Sequence, residues 1–205
     1  MPEEQPSPPV RLKILQTGEP VLRQEARPLT AQEIVDPAVQ ELIAHMRDTM
    51  RDAPGVGLAA PQIGLAIQLA VVEDRAEYLT GIAPEILASR ERRAVPFMVL
   101  VNPVIVEYSD ESVEFFEGCL SVAGFSALVK RSRRVAVEYL DERAQPQRIE
   151  ASGWFARILQ HEIDHLRGTI YIDRMETRSF TSIENIGRHW KDLPVEAVRA
   201  ALGLS

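Results

Sequence analysis

The stretch Gln160-His161-Glu162-Ile163-Asp164-His165-Leu166-Arg167-Gly168 decides how the rest of the chain is read. On a helix, His161 and His165 lie on one face a turn apart, so their imidazoles can converge on one ion with Glu162 beside them. The HExxH pattern is short and arises by chance in helical sequence, where paired histidines also serve as satisfied core or surface residues. It names a mechanism without supplying a third ligand. Its surroundings sharpen the reading. Ser152 offers an N-cap, Gly153–Leu166 a helix and Gly168 a stop, while Phe155, Ile158, Leu159, Ile163 and Leu166 place apolar side chains on more than one face. A helix of that kind is buried, and burying two histidines and a glutamate is costly unless something satisfies them. A metal ion would satisfy all three.

Outward from this helix, the runs 135–140 and 147–151 alternate around the turn-like Asp141-Glu142-Arg143-Ala144 and predict a hairpin. The runs 97–101 and 104–108 read as two strands separated by Asn102-Pro103, and 11–15 and 67–72 as further strands. Asp36 caps a helix that has Pro37 at its first position; Val39, Leu42, Ile43, Met46 and Met50 form its apolar stripe, and Pro54-Gly55 ends it. Residues 75–94 read as a polar surface excursion interrupted by Pro84. Near the end, 193–202 carries a Pro-initiated helical pattern with Val195, Val198 and Leu202 on one side. The expected fold is therefore α+β, with antiparallel β-sheets surrounding a central buried helix that carries HEIDH. Residues 1–10 form a disordered tail, 11–175 a single catalytic domain, and 176–205 a C-terminal extension with a short helix.

Composition narrows the function classes. A chain of 205 residues, 45% hydrophobic and 26% charged, is large enough for one well-filled core. Its net charge of −7 supplies no basic footprint for nucleic acid, and the runs Arg90 to Arg93 and Lys130 to Arg134 read as solvated strand or loop edges. No apolar stretch approaches the length that spans a bilayer. Cys119 is the only cysteine, which fits a reducing compartment. With Glu3, Glu4 and several prolines ahead of Val10, the N-terminus resembles neither a secretory signal nor an Arg-rich transit peptide, so a cytoplasmic location is expected.

The missing ligand can be sought by chemistry. The extended pattern HExxHxxGxxH holds through Gly168 but meets Tyr171 where a third histidine should stand. A downstream carboxylate, Glu176 or Glu184, is the other common choice, and neither sits on a clear helical stripe. Cys119 is the better candidate: its thiolate is a stronger and softer ligand for zinc or ferrous iron, and Glu117-Gly118-Cys119-Leu120-Ser121 looks like a tight loop after a strand. The pair Gly55 and Gly57 lacks the third glycine and preceding strand of a dinucleotide fingerprint, so that reading is set aside.

Three segments in this order and spacing, GVGLAAPQIG at 55–64, EGCLS at 117–121 and QHEIDH at 160–165, resemble the signature segments of the peptide deformylases. Each matches its family pattern: Gly55, Gly57, Ala59, Ala60 and Gln62; Glu117, Gly118, Cys119 and Ser121; His161, Glu162, Asp164 and His165. The likeness extends through most of 11–175. The stretches 121–125 and 151–159 are similar to the subgroup that includes organelle-targeted members, while the N-terminus fits a bacterial, cytoplasmic version.

The resemblance implies a metallohydrolase acting on a linear amide, one that removes the N-formyl group from the initiator N-formylmethionine of newly made polypeptides and releases formate. It implies Cys119, His161 and His165 as metal ligands, and Fe2+ as the cofactor with Zn2+, Ni2+ or Co2+ as substitutes. Glu162 would carry the proton, and the Leu120 backbone N–H with the Gln62 side chain would stabilise the oxyanion. Val56, Gly57, Gly118 and Ile158, with Leu120, are the expected substrate contacts. Asp164 is read as a structural ion-pair partner. The expected partners are N-formylmethionyl peptides and nascent chains near the ribosome, with neither nucleic acid nor membrane bound.

Overall fold

The computed structural model describes residues 10–191 and 193–204, so the expected tail before Val10 lies outside the described residues. Among the described residues, eight strands make two antiparallel sheets: β1 (Gly57–Ala59), β2 (Leu69–Asp74), β3 (Val95–Tyr108), β4 (Ser112–Gly118), β5 (Phe125–Ser132), β6 (Arg134–Leu140), β7 (Pro146–Ser152) and β8 (Thr181–Ser182). The larger sheet runs β1-β2-β3-β6-β7 and the smaller β4-β5-β8. Helices α1 (Ala31–Ile34), α2 (Pro37–Asp52), α3 (Pro84–Ser89), α4 (Gly153–Leu166), α5 (Ile183–Asn185) and α6 (Val195–Leu202) surround and fill them.

The β2-β3-β6 part of the larger sheet packs on both faces, and the period of two in its strands sorts the side chains. Leu69, Val71, Val99 and Val101 pack with Ile43, Met46 and Met50 of α2. Val72, Leu100, Val135 and Val137 pack on the opposite side with Phe155, Ile158, Leu159 and Ile163 of α4. α4 also meets β5 of the smaller sheet, so it lies walled in between the two. Twelve of its 14 residues are buried, polar ones among them, and each of those needs a partner. Gln160 has its own: its side chain donates to the carbonyls of Ser132 and Ala156 and accepts from the Ser132 N–H, pinning the helix to the end of β5.

Several local expectations hold. Asp36 accepts from the Ala38 N–H at 2.9 Å and opens α2 at Pro37. β6 and β7 form the expected hairpin in register from Arg134↔Ser152 to Leu140↔Pro146. α6 spans Val195–Leu202, with Val198 buried.

Others are corrected. Residues 11–15 form no strand; Leu12 and Leu15 donate their N–H groups to Thr49 Oγ1 and the Gln62 carbonyl, so side-chain and loop partners replace a sheet ladder. The two expected runs around Asn102-Pro103 are one strand, β3. There Asn102 takes φ +51°, the register to β6 shifts between Val101 and Val104, and its side chain bonds Leu29 in both directions. Pro84 begins a helix rather than interrupting one, as proline at a first helical position does. Ser152 occupies the N-cap of α4 but makes no capping hydrogen bond. Gly153 turns the chain there at φ +58°, where a Cβ would stand 2.4 Å from Glu91 Cβ. The turn from β7 into α4 therefore depends on glycine.

Candidate metal centre

His161 and His165 project from one face of α4, their ring centroids 5.0 Å apart and tilted by 69°. Cys119 arrives from the turn that follows β4, where Val122 donates to the Cys119 carbonyl and closes the loop. Its Sγ lies 3.2 Å from His165 Nε2. One donor atom from each of Cys119, His161 and His165 falls within 4.8 Å of the others, a set of two imidazoles and a thiol suited to zinc or ferrous iron. Glu184 pairs instead with Arg188, and the Glu176 side chain accepts from the Arg178 N–H. Tyr171, at the position of an absent third histidine, is buried with its ring stacked 6.5 Å from that of His161.

The polar atoms around this cluster also fit a bound cation. Burial holds His165 well below its ordinary pKa and so neutral, the form in which imidazole ligates. His161 also feels burial most strongly, but hydrogen bonds with Cys119 and Glu117 outweigh it and raise the ring's pKa. Burial pushes the Glu162 carboxyl up to about 7. Its Oε2 and His165 Nδ1 are buried without a protein partner among the described residues. A nearby cation would favour the ionised carboxylate and lower that pKa again.

Gln62 comes from the short helical turn Ala60–Ile63 after β1. Its Oε1 accepts from the Ala59 N–H at 2.8 Å, which fixes the amide so that Nε2 points toward Ser121 Oγ at 3.2 Å and Cys119 Sγ at 3.5 Å. The donor end thus faces the cluster. A cavity of about 390 Å³ opens over it, lined by all the expected contact residues: Val56, Gly57, Gly118, Leu120 and Ile158, beside Gln62, Cys119, His161 and Glu162. Trp154 lines it too.

Beneath the cluster lies a charge network that motif spacing does not reveal. Glu117, 5% exposed, faces His161 Nδ1 at 3.2 Å. A carboxylate only accepts, so that nitrogen carries the proton and Nε2 is left for the cluster. Arg131 holds the same carboxylate with bonds of 2.7 and 3.2 Å, and Arg157 with one of 3.0 Å. Burial alone would raise the Glu117 pKa; His161 and Arg131 together overcome it and hold the group far below the usual carboxylate range. Arg131 also pairs with Asp164, which Arg174 grips at 2.6 and 2.8 Å. Asp164 is thus an ion-pair partner.

The reading of the two arginine runs as solvated edges holds for exposed Arg93, Lys130 and Arg134 and is corrected for Arg90, Arg92 and Arg131. Arg131 is 4% exposed, Arg92 makes two bonds to fully buried Asp74, and Arg90 sits between the rings of Phe115 and Trp154 at 5.5 and 5.3 Å. Their positive charge is neutralised or stacked inside the protein, which only long-range packing reveals. The one sequence signal for Glu117 was its place inside EGCLS. Arg157, three residues after Trp154 on an apolar helix, signalled itself only as a polar residue out of pattern.

The family model for polypeptide deformylase matches residues 11–180. The chain is 45% identical over 183 residues to peptide deformylase 1A, chloroplastic/mitochondrial, of Arabidopsis thaliana, covering 89% of this chain and 66% of that protein. It is 43% identical over 194 residues to peptide deformylase 3 of Streptomyces avermitilis, covering 95% and 84%. Among solved structures, a Met-Ala-Ser-bound class I type b peptide deformylase from Acinetobacter baumannii superposes with a TM-score of 0.72 at 32% identity, over 82% of this chain and 99% of that one. The chain spans about two thirds of the length of the plant relatives.

Proposed function

The chain belongs to the polypeptide deformylase family, and from that membership we propose that it hydrolyses the N-formyl group of N-formylmethionyl peptides to formate and a free α-amine. The observation that carries this reading is the convergence of Cys119, rather than a third histidine or a glutamate, on the two histidines of α4, with Gln62 aimed at the same point.

Cys119, His161 and His165 would hold the metal. When bound, such an ion would act as a Lewis acid and lower the pKa of a bound water to about 7. Glu162, buried beside the ligands with one oxygen unpartnered, takes the proton from the attacking water and delivers it to the departing amine. The formyl oxygen gains negative charge as the carbon becomes tetrahedral. Gln62 Nε2 and the Leu120 N–H donate to it, and losing one such donor raises a barrier by about 3 kcal/mol. Glu117 and Arg131 keep His161 in the tautomer and orientation that present Nε2. Val56, Leu120 and Ile158 receive the methionine side chain, and Gly57 leaves its backbone open to the peptide.

Ferrous iron is the proposed ion, with zinc, nickel or cobalt as substitutes. Among the described residues no helix is long and apolar enough to cross a membrane. A cytoplasmic setting, with nascent chains near the ribosome as substrates, suits a lone thiolate ligand that must stay reduced. Anaerobic purification, metal analysis and a formate-release assay on formyl-Met-Ala-Ser beside unformylated Met-Ala-Ser test the reading. Release from the first alone supports it; metal-free protein without release overturns it.

A further inference from the structure

Three consecutive residues near the start of the chain tie together the two loops that carry Gln62 and Leu120. The Leu15 N–H donates to the Gln62 carbonyl at 2.8 Å, and the Thr17 N–H to the Ser121 carbonyl at 2.7 Å. Between them, the Gln16 side chain clasps the loop after Cys119: its Nε2 donates to the Leu120 carbonyl at 2.9 Å and its Oε1 accepts from the Ala123 N–H at 3.2 Å. An amide has one donor end and one acceptor end, so a single orientation satisfies both bonds. Gln16 is exposed and is not among the residues that line the cavity, so it stands outside the reacting cleft.

We propose that Gln16 is a positioning residue for the deformylation reaction: by holding the Leu120 carbonyl it aligns the Leu120 N–H with Gln62 Nε2. The inference rests on the deformylase reading and adds to it a residue outside the three signature segments. The two donors come from separate loops, yet both must lie about 2.7–3.1 Å from the place where the oxyanion develops. A residue's backbone has only two soft torsions, so a bond that anchors its carbonyl also restricts the direction of its N–H. Gln16 supplies that anchor at Leu120, while its neighbour Leu15 ties the same segment to the main chain of Gln62. Because the oxyanion exists only near the transition state, a donor out of line slows turnover and leaves substrate binding alone.

The test measures formate release from formyl-Met-Ala-Ser by the metal-loaded wild type, Gln16→Ala and Gln16→Met, with a thermal melt and metal analysis on each. Methionine keeps the length of glutamine and removes both hydrogen bonds, so it separates bonding from bulk. Both variants are expected to lose about tenfold in kcat, with KM, Tm and metal content close to those of the wild type. A Gln16→Met protein as fast as the wild type overturns the proposal. So does a loss of activity that follows a loss of metal, or a rise in KM at unchanged kcat. A wild type that releases no formate overturns the deformylase reading itself, and the proposal with it.

Discussion

Gly57 lies directly against Glu162: a Cβ at position 57 would stand 2.1 Å from Oε1 of the carboxylate and 2.8 Å from its Cγ. Glu162 is 3% exposed on a helix walled in by two sheets, so it can give way only into the cavity it lines, away from its present place. The sequence reading assigned Gly57 to substrate contact alone; the structure gives its small size a second reason. Gly57→Ala is expected to displace Glu162 and lower kcat by about 100-fold or more, the scale of a lost proton carrier. The metal content of the variant should match that of the wild type. Normal turnover in a folded Gly57→Ala protein would show that the carboxylate can relocate.

Removing the carboxylate itself separates binding from chemistry. Glu162→Ala leaves Cys119, His161 and His165 in place, so metal stoichiometry should be retained while turnover drops by a factor of about 100 to 10,000. Formate release at a rate near that of the wild type would exclude Glu162 as the acid–base group.

Cys119→Ser tests the third ligand. A hydroxyl is a far poorer donor than a thiolate for a soft or borderline ion, so metal content and activity should fall together. Stripping the metal from the wild type with a chelator should lower Tm, because an ion that binds only the folded state stabilises it. A Cys119→Ser protein that keeps both metal and activity would point to a carboxylate ligand such as Glu176.

Glu117→Gln probes the network under the site. The substitution leaves Arg131 and Arg157 buried without their shared charge, and breaking a buried pair costs about 3–5 kcal/mol. It also loosens the hold on His161, which by the usual effect of an outer hydrogen-bond partner weakens metal affinity about 10- to 100-fold. Denaturant titration and competition with a metal chelator read the two effects separately. Unchanged values in both would mean that the network is only incidental to the site.

The parts legible in the sequence are those whose cause is local. The four-residue spacing of His161 and His165 fixes their shared face on any helix, and the apolar residues around them announce burial. Asp36-Pro37 specifies a helix start through a side-chain cap and a preset φ. The β6–β7 hairpin follows from alternation on either side of a polar turn. Where local signals competed with distant partners, the reading slipped. At Ser152 the glycine turn, not the hydroxyl, makes the corner, and at Asn102 an amide bonded to Leu29 carries β3 past a positive φ and a proline.

By itself the sequence brought out the candidate donor residues, the helix that carries two of them and the family to which the chain belongs, because residue type and short spacing are written along the chain. Only the tertiary structure decided that Cys119 meets those histidines, that Glu117 stays ionised among two arginines and a histidine, and that Gly57 must be small beneath Glu162. Charge states and close approaches depend on burial and on partners far away in the chain, and folding alone creates both.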